Sequence, residues 1–354
     1  MIITWLAVTP LDTVMVRDGR PFQMGASGSA TSVAPAPNTL GGVVKAALGG
    51  TRKVKHYIVG PVIDTQYGVM FPTPRDIVCD DSTVRRLAVA ERTDTALSDL
   101  DFEADLDFDD RQRLRHHLVG DGESAWDWIS RPGLTDWLIG AMPADQVVPK
   151  PPLWRNPAWR PETRLGLARH WNGPLIGTAA PGLLYTMTQL RPREGTRFLV
   201  GCVDDEPLKI RDDNEVVPFG GRGRLAEVAV VSEKALPETV LPDRPEDFPG
   251  GRLAVYLATP ALLKGRWWCP PDAELSAVAV GDPQPVASAT PGPDFDDSRL
   301  LSWAVPAGSV FFLTFESPDK AKKWAVAHHG GLLPDQSRLP IVNAGFGTCL
   351  TGRW

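Results

Sequence analysis

The chain ends in Asn343-Ala-Gly-Phe-Gly-Thr-Cys-Leu-Thr-Gly-Arg-Trp354, the stretch that says most about its fold. Gly345 and Gly347 allow a positive φ and let another backbone approach closely, as a phosphate-bearing ligand requires. Phe346 between them would offer a stacking face to a nucleobase. Taken alone, however, the stretch fits better a glycine turn that leads into a C-terminal core strand. The choice between the two depends on the rest of the chain.

A stretch near the other end of the chain points to anion binding. Arg17 and Arg20 flank an Asp-Gly turn signal, so both guanidinium groups are expected to project from one tight loop. Residues 25–32 form a Gly/Ser/Ala loop that is flexible enough to close over a ligand.

The segment Pro35-Ala-Pro-Asn-Thr-Leu-Gly-Gly-Val-Val-Lys-Ala-Ala-Leu48 predicts a helix. Asn38 or Thr39 is expected to be its N-cap, and the helix is expected to run to about residue 48. The open amide groups at such a helix start attract anions.

A further glycine-rich stretch is Phe219-Gly-Gly-Arg-Gly-Arg224. Its glycines would leave successive amides free to cradle a phosphate while the two arginines fork to it. It is no dinucleotide fingerprint, because Pro218 precedes the phenylalanine and a strand rather than a helix is expected to follow. The alternative is a tight hairpin with exposed arginines.

Residues 150–171 are basic and rich in tryptophan, with five cations and a single acid, Glu162. Arginine forks and aromatic stacking platforms are what single-stranded RNA recognition requires. A Pro-rich loop whose tryptophans anchor it to the core explains the same residues equally well. The cations and aromatic residues are Lys150, Arg155, Arg160, Arg164, Arg169, Trp154, Trp159, His170 and Trp171.

Together these features resemble a CRISPR family, the third RAMP subunit of the type III-B effector, the Cmr complex. Eight collinear motifs carry the resemblance and cover nearly the whole chain. They are Arg17-Asp-Gly-Arg-Pro-Phe22, Pro37-Asn-Thr-Leu-Gly-Gly42, Phe71-Pro-Thr-Pro-Arg75, Gly182-Leu-Leu-Tyr185, Phe219-Gly-Gly-Arg-Gly-Arg224, Thr259-Pro260, Val305-Pro-Ala-Gly308 and Gly345-Phe-Gly347 through Trp354.

The resemblance implies an α+β fold of two ferredoxin-like (RRM-like) modules with antiparallel sheets and helical and loop insertions. Strand–helix–strand patterns at both ends of the chain, with antiparallel hairpins between them, favour the α+β class independently. The expected modules are residues 1–205, with an acidic and helical insertion around 80–145, and residues 206–354, which end in the glycine-rich loop.

The resemblance also implies an RNA-binding subunit rather than an enzyme. It would hold the 5′ handle of the CRISPR RNA and contact the large polymerase-like subunit and the backbone RAMP subunits. No cofactor, metal, small-molecule substrate or membrane is expected, and the location implied is cytoplasmic. The expected RNA-binding residues are Arg17, Asp18, Gly19, Arg20, Asn38, Thr39, Lys45, Arg75, Gly220, Gly221, Arg222, Gly223, Arg224, Gly345, Phe346 and Gly347.

Two other functions stay open at this point. Some related repeat-processing proteins cleave RNA with a histidine near the first helix, and His56 is the candidate here. The second alternative is an architectural adaptor that contacts only protein. The sequence contains no Gly-x-Ser-x-Gly, no Walker loop and no His-Glu-x-x-His motif, and the histidines lack the helical spacing of metal ligands.

Composition agrees with a soluble globular protein of two domains, with 354 residues, 43% hydrophobic and 23% charged. The four cysteines are far apart in sequence, as expected for reduced thiols.

The net charge of −6 argues against non-specific nucleic-acid binding, but residues 94–110 alone hold eight acids, so the remainder of the chain carries −6 + 8 = +2. We interpret that stretch as a solvated acidic insertion rather than a calcium loop. No apolar run is long enough for a membrane span, and the N-terminus predicts a strand rather than a signal peptide.

Periodicity predicts the secondary structure of most of the chain. Residues 183–190 and 197–203 are expected to pair as a hairpin. Proline-rich joints are expected at 236–251 and 281–298. Strands are predicted at 2–8, 11–16, 57–62, 225–231, 253–257, 310–315 and 349–354, and helices at 39–48, 82–91, 111–119, part of 125–139, and 319–328.

Overall fold

The structure is a computed structural model. It describes residues 1–16, 30–50, 54–79, 83–91, 116–125, 127–142, 148–149, 153–154, 158–169, 173–211, 214–221, 223–231, 240–265, 268–289 and 299–354.

Strands dominate the described part of the chain. The helices are α1 (Pro37–Ala47), α2 (Arg131–Leu138) and α3 (Pro318–His328), with 3-10 turns at Pro249–Gly251 and Pro340–Ala344. The strands are β1 (Ile2–Pro10), β2 (Ala30–Thr31), β3 (Tyr57–Thr65), β4 (Gly68–Pro72), β5 (Ile77–Cys79), β6 (Thr83–Arg86), β7 (Ala88–Glu91), β8 (His116–Val119), β9 (Glu123–Ser124), β10 (Trp128–Ser130), β11 (Val148–Pro149), β12 (Leu153–Trp154), β13 (Trp159–Arg169), β14 (Ala179–Pro192), β15 (Arg197–Asp204), β16 (Asn214–Pro218), β17 (Leu225–Val230), β18 (Arg252–Leu257), β19 (Ala273–Ala279), β20 (Gln284–Ala289), β21 (Arg299–Ala304), β22 (Val310–Phe315) and β23 (Cys349–Gly352).

The chain forms two compact units that interleave in sequence. Unit 1 comprises Met1–Gln66, Asn156–Ser232 and Pro285–Trp303, and unit 2 comprises the segments Tyr67–Arg155, Glu233–Gln284 and Ala304–Trp354. The expected module boundary at residues 205 and 206 lies inside unit 1 in this division.

Unit 1 is built around five neighbouring antiparallel strands in the order β3-β15-β1-β17-β16. Counted as first to fourth in sequence, β1, β3, β15 and β17 have the strand order of a ferredoxin-like module, with α1 as its first helix. The buried residues of α1 recur at helical spacing and contact this sheet. They are Leu40, Val43, Val44 and Ala47.

A long hairpin and a short ribbon complete unit 1. Strands β13 and β14 pair along most of their length, and β2 joins β14 in parallel. The predicted hairpin between residues 183–190 and 197–203 is therefore wrong, because β15 pairs with β1 and β3 instead. Strands β20 and β21 form the ribbon, and β20 lies inside the segment 281–298 that was expected to be a proline-rich joint.

Unit 2 repeats the ferredoxin-like order in its C-terminal part. Its sheet runs β19-β22-β18-β23 with every pair antiparallel, and α3 connects β22 to β23. The described residues between β18 and β19 contain no helix. The buried core of this sheet includes Phe248, Leu253, Val255, Leu257, Phe311, Leu313, Phe315, Ala321, Ala325 and Leu333. The predicted α+β class with antiparallel sheets is confirmed.

Helix starts explain one correct prediction and one error. Ser317 caps α3, because its Oγ accepts a hydrogen bond from the Lys320 amide at 3.3 Å. In α1, by contrast, the N-cap is Ala36, so the predicted cap at Asn38 or Thr39 is wrong. Pro37 occupies the first helical position, where a backbone amide has no hydrogen-bond acceptor within the helix, so the amide hydrogen that proline lacks is not needed. The helix therefore begins two residues earlier than predicted.

Two predicted helices are strands where the structure describes them. Residues 83–86 and 88–91 form β6 and β7, and residues 116–119 form β8. In β6 the inward side chains are Val84 and Arg86. Because one of these two buried residues is charged, the positions of the apolar residues alone do not show the alternation of a strand. Residues 111–115 and the acidic stretch 94–110 lie outside the described residues.

Candidate nucleic-acid interface

The residues that precede one motif expected to bind RNA contact a second such motif at one end of unit 1. The Met15 carbonyl accepts a hydrogen bond from the Gly221 amide at 2.8 Å, and the Val16 carbonyl accepts one from the Val33 amide at 2.9 Å. Val16 and Val33, which flank the chain segment that contains Arg17 and Arg20, are therefore neighbours beside the glycine loop. We call residues 11–16, 33, 219–221, 223 and 224 the loop end of unit 1. Residues 17–29, including Asp18 and Gly19, lie outside the described residues.

The glycine loop connects β16 to β17 and is shaped by its contact with Met15. Gly220 has φ +80°, and a Cβ there would lie 2.6 Å from the Met15 carbonyl oxygen. Gly223 has φ +68° with open space around it. The Phe219 amide donates to the Arg224 carbonyl at 2.7 Å. Two amides of the predicted phosphate cradle, at 219 and 221, are thus already used within the protein.

Arg224 lies under this loop rather than on its outer surface. Its guanidinium forms an ion pair with Asp12, and its Nη2 donates to Gln189 Oε1 at 3.0 Å. The side chain is 18% exposed, and its Nε is buried without a partner. Arg224 therefore holds the loop to the residues that follow β1, while Arg222 lies outside the described residues.

The ion pair extends into a small network. Asp12 also lies 3.2 Å from Arg191 and 3.8 Å from Arg164, and both of these arginines pair with Glu162. Hydrogen bonds from the arginines lower the pKa of Glu162 to about 2. The Thr13 amide and the three arginines lower the pKa of Asp12. Three arginines against two carboxylates give this ion network a net positive charge.

A cleft of about 680 Å³ opens beside this network. Its walls are the C-terminal ends of β1, β3 and β14 and the turn that leads into β15. Its charged lining residues are Asp12, Asp64, Arg191, Arg193, Glu194 and Arg197.

The first turn of α1 contacts the β20–β21 ribbon. Asn38 Nδ2 donates to the Ala287 carbonyl at 3.2 Å, while its Oδ1 is buried without a partner. Thr39 is half-buried, and Lys45 is exposed on the last turn. Of these three expected RNA contacts, Lys45 alone is fully exposed.

In unit 2, Arg75 is exposed on a turn built by two motifs together. The Arg75 amide donates to the Gly308 carbonyl at 2.9 Å. Gly308 has φ +87°, and a Cβ there would lie 2.6 Å from the Thr73 carbonyl oxygen. Tyr256 donates from its hydroxyl to the Pro72 carbonyl at 2.6 Å. Through these contacts the motifs Phe71–Arg75 and Val305–Gly308 shape the turn together.

The C-terminal glycine loop is interior. Thr259 Oγ1 donates to the Gly345 carbonyl at 2.6 Å, and the Gly347 amide donates to the Pro260 carbonyl at 2.7 Å. Phe346 is fully buried, so its ring offers no face to a base and the predicted stacking is wrong in this fold. The stretch is the glycine turn into a core strand that its sequence alone favoured.

The basic, Trp-rich segment is mainly strand β13. Trp159 is buried and stacks on Phe198 with ring centroids 6.2 Å apart. Arg160 is exposed, and Arg164 belongs to the network with Asp12. The core-anchor explanation thus holds for Trp159. Lys150, Arg155, His170 and Trp171 lie outside the described residues, as do the side chains of Trp154 and Arg169.

The ribonuclease candidate, His56, lies at the start of β3 in a charged cluster. Its Nε2 is 2.7 Å from Asp205 Oδ1, and Lys55 pairs with the same carboxylate. Lys55 and His56 lower the pKa of Asp205 to about 2. In the described part of the chain no group of residues is arranged to hold a metal ion. Nor is any helix there long and apolar enough to cross a membrane.

Sequence reasoning missed Asp12, Gln189 and Arg191. Their partners lie 29 to 212 residues away in sequence, so no local pattern connects them. The one available signal was the charge pair Glu162 and Arg164 inside an otherwise basic stretch.

The family model for CRISPR-associated protein (Cas_Cmr3) matches residues 6–354. The chain belongs to the Cas_Cmr3 family. This membership confirms the expected resemblance over nearly the whole chain. No curated protein sequence matches the chain closely enough to count as a relative.

Two solved structures similar to this Cas_Cmr3 chain are cryo-EM structures of the type III-B Cmr-beta. One, bound to cognate target RNA and AMPPnP in state 1, shares 14% identity over 87% of this chain and 86% of that chain, with a TM-score of 0.45. The other, bound to cognate target RNA, shares 13% identity over 98% of this chain and 96% of that chain, with a TM-score of 0.49.

Proposed function

We propose that the chain is a subunit of a type III-B Cmr effector and holds the 5′ handle of the CRISPR RNA with the loop end of unit 1. It would join the large polymerase-like subunit to the backbone RAMP subunits, and it would not cleave RNA. The observation that carries the proposal is the hydrogen bond between Met15 and Gly221. Met15 precedes Arg17 by two positions and Gly221 directly precedes Arg222, which supports a common site for the two arginine motifs.

The chemistry of the loop end supports an anionic, single-stranded ligand. Arg17 and Arg222 directly follow the described residues Val16 and Gly221 in sequence, and Arg20 follows three positions after Arg17. The described ion network of this region is net positive. Arginine forks bind phosphate oxygens in a bidentate manner and do not depend on base sequence. Arg224 has a different role in this proposal, since Asp12 and Gln189 already occupy its Nη groups and it keeps the loop in place.

Family membership and the Met15 contact together favour handle binding over the adaptor. An adaptor that contacts only protein has no need of arginines concentrated at one loop end. The ribonuclease alternative rests on His56, which lies beside Asp205 at the other end of β3 from the cleft, away from the proposed RNA site.

Replacing Arg17 and Arg20 together with alanine tests the proposal. Lys209→Ala is the matched control, because Lys209 is exposed and follows Leu208, whose amide bonds to Thr4 near the opposite end of β1. Binding of handle-bearing and handle-less RNA is measured across a salt series, for the Cmr complex reconstituted from purified subunits. Each lost charge-assisted contact is expected to weaken handle binding by about tenfold or more, or about 1.5 kcal/mol.

The salt slope gives an independent readout. For single-stranded RNA, each phosphate contact contributes about 0.7 to the slope of log affinity against log salt, so the double variant is expected to lower it by about 1.4. Lys209→Ala should leave affinity and slope unchanged. Unchanged binding by the double variant would support the adaptor, and equal losses for handle-less RNA would contradict recognition of the handle.

A further inference from the structure

Strand β14 binds the residues on both sides of segment 17–29, which contains two arginines of the proposed RNA site. The Val14 amide donates to the Leu190 carbonyl at 2.7 Å, and the Leu190 amide donates back to the Val14 carbonyl at 3.0 Å. After the segment, the Ser32 amide donates to the Thr188 carbonyl at 2.9 Å. The residues before and after the segment are therefore bonded to nearby positions of one strand.

Gln189 lies between these two positions of β14 and adds a side-chain contact. Gln189 is 2% exposed and Thr13 is 1% exposed. The Gln189 Oε1 accepts one hydrogen bond from the Thr13 hydroxyl and a second from Arg224 Nη2, the latter at 3.0 Å. Both donors meet the same atom, and of the two amide atoms only the oxygen accepts, so the orientation of the amide is fixed. One buried oxygen thus connects the segment before Arg17 with the end of the glycine loop.

These contacts give Gln189 a role that an apolar residue could not fill. A leucine of similar volume would pack at this position without forming a hydrogen bond. Without the amide, the Thr13 hydroxyl and one end of the Arg224 guanidinium each lose an acceptor. Gln189 and Thr13 are too deeply buried to contact RNA, so they act on a bound strand only through the loops that they hold.

Holding the two loops matters because arginine recognises phosphate through a fork of fixed geometry. A site whose parts are in place before the ligand arrives also loses less conformational freedom on binding. Such sites depend on buried hydrogen bonds behind the contacting residues, which keep those residues in the binding geometry.

We propose that Gln189 is a positioning residue of the RNA site. Its amide oxygen fixes the segment before Arg17 relative to the glycine loop, so that the arginines of both motifs engage one stretch of RNA phosphates. The inference rests on the proposed function, because it requires that Arg17, Arg20 and Arg222 bind RNA.

The test uses Gln189→Leu, which removes the acceptor, and Thr13→Val, a milder variant that removes one donor and keeps the shape of threonine. Handle-bearing RNA is titrated into the Cmr complex reconstituted with each variant. The control is Ser276→Ala in unit 2, because it also removes the hydrogen bond of a buried hydroxyl, here 2.8 Å from Thr314 Oγ1. The melting temperature of each purified chain records the loss of stability.

Gln189→Leu is expected to weaken handle binding by about tenfold, and Thr13→Val by about threefold. The double variant should bind about as weakly as Gln189→Leu alone, because both changes break the same hydrogen bond. Ser276→Ala should lower the melting temperature and leave RNA affinity within about twofold.

A positioning role also predicts that RNA binding depends less on the arginines once Gln189 is lost. In the wild type, replacing Arg17 and Arg20 with alanine should weaken binding by about a hundredfold, or about tenfold for each contact. In the Gln189→Leu background the same change should weaken it by about tenfold or less. A residue that only stabilises the fold would leave this factor unchanged.

Each remaining outcome decides against the inference. Wild-type affinity of Gln189→Leu, with the Arg17 and Arg20 variant still impaired, overturns the positioning role and leaves handle binding intact. An equal loss of affinity with Ser276→Ala assigns the effect to stability and overturns it too. If the arginine variant itself binds normally, the proposed function fails and this inference fails with it. Should Gln189→Leu not fold, Thr13→Val decides by the same comparisons.

Discussion

At the scale of single residues, the feature expected to matter most for stability is a buried ion pair in the interior of unit 2. Arg86 and Asp76 have 4% and 0% of their side chains exposed, with Arg86 Nε 2.6 Å from Asp76 Oδ2. Arg86 Nη1 also donates to the Arg353 carbonyl at 2.7 Å, and its guanidinium lies 4.4 Å from the Trp137 ring. One arginine therefore connects β6, α2 and the end of the chain.

Neutralising one member of this pair should be costly. Asp76→Asn leaves the buried guanidinium without its counter-charge, and the expected loss of unfolding free energy is about 3–5 kcal/mol. Urea unfolding of the purified chain measures it. Glu316→Gln is the control, because it breaks the exposed pair between Glu316 and Lys320 and should leave the midpoint unchanged. Equal midpoints for both variants would contradict a structural role for the buried pair.

At the scale of elements, the glycine loop between β16 and β17 offers a matched comparison. Gly220 and Gly223 both have positive φ, but only at Gly220 would a Cβ meet backbone, the Met15 carbonyl oxygen at 2.6 Å. Gly223→Ala should cost about 1–2 kcal/mol, the strain of a left-handed alanine. Gly220→Ala should cost measurably more, because Met15 must also move and its bond from Gly221 weakens.

The two variants should also differ in RNA binding, since Met15 and Val16 lead directly into Arg17. Gly220→Ala is expected to weaken handle binding, whereas Gly223→Ala should bind as the wild type does. Unfolding midpoints and filter binding on the same preparations separate the two effects. If both alanines behave alike, the Met15 contact does not position the loop.

Elements with local signals were predictable from the sequence, and those fixed by distant partners were not. The apolar runs of β1, β18 and β22 and the Ser-Pro start of α3 consist of consecutive residues and are therefore visible in the sequence. By contrast, β6 was predicted as helix, because Arg86 points inward to Asp76 and breaks the expected pattern of polar and apolar residues. The predicted hairpin failed for a related reason: pairing of β15 with β1 joins residues about 200 positions apart in sequence, which no turn signal records.

The candidate site shows the same division at finer detail. The glycine and arginine motifs in the sequence already indicated the loop end, because turn formation and phosphate binding depend on residue type. Exposure was not predictable in this way. Phe346 and Arg224 resemble RNA contacts in sequence, yet one lies in the core and the other is occupied by Asp12. Only the packing of the whole unit decides which arginine reaches solvent.

At the scale of the whole molecule, the proposed role is to bind and position RNA, and a single histidine provides the test against catalysis. General acid–base cleavage of RNA requires a histidine free to exchange a proton with the ribose or the leaving oxygen. His56 Nε2 is 2.7 Å from Asp205, a carboxylate shared with Lys55, and the side chain is 32% exposed. His56→Ala removes the one histidine that the ribonuclease alternative names, and Asp205 keeps its lysine partner. In a reconstituted complex, we expect guide-RNA length and target cleavage to match the wild type when products are resolved on a denaturing gel.

Lys55→Ala serves as the control for disturbing the same charged cluster without removing a general base. Loss of guide processing or target cleavage with His56→Ala, in a complex of unchanged composition and with Lys55→Ala still active, would assign catalysis to this chain.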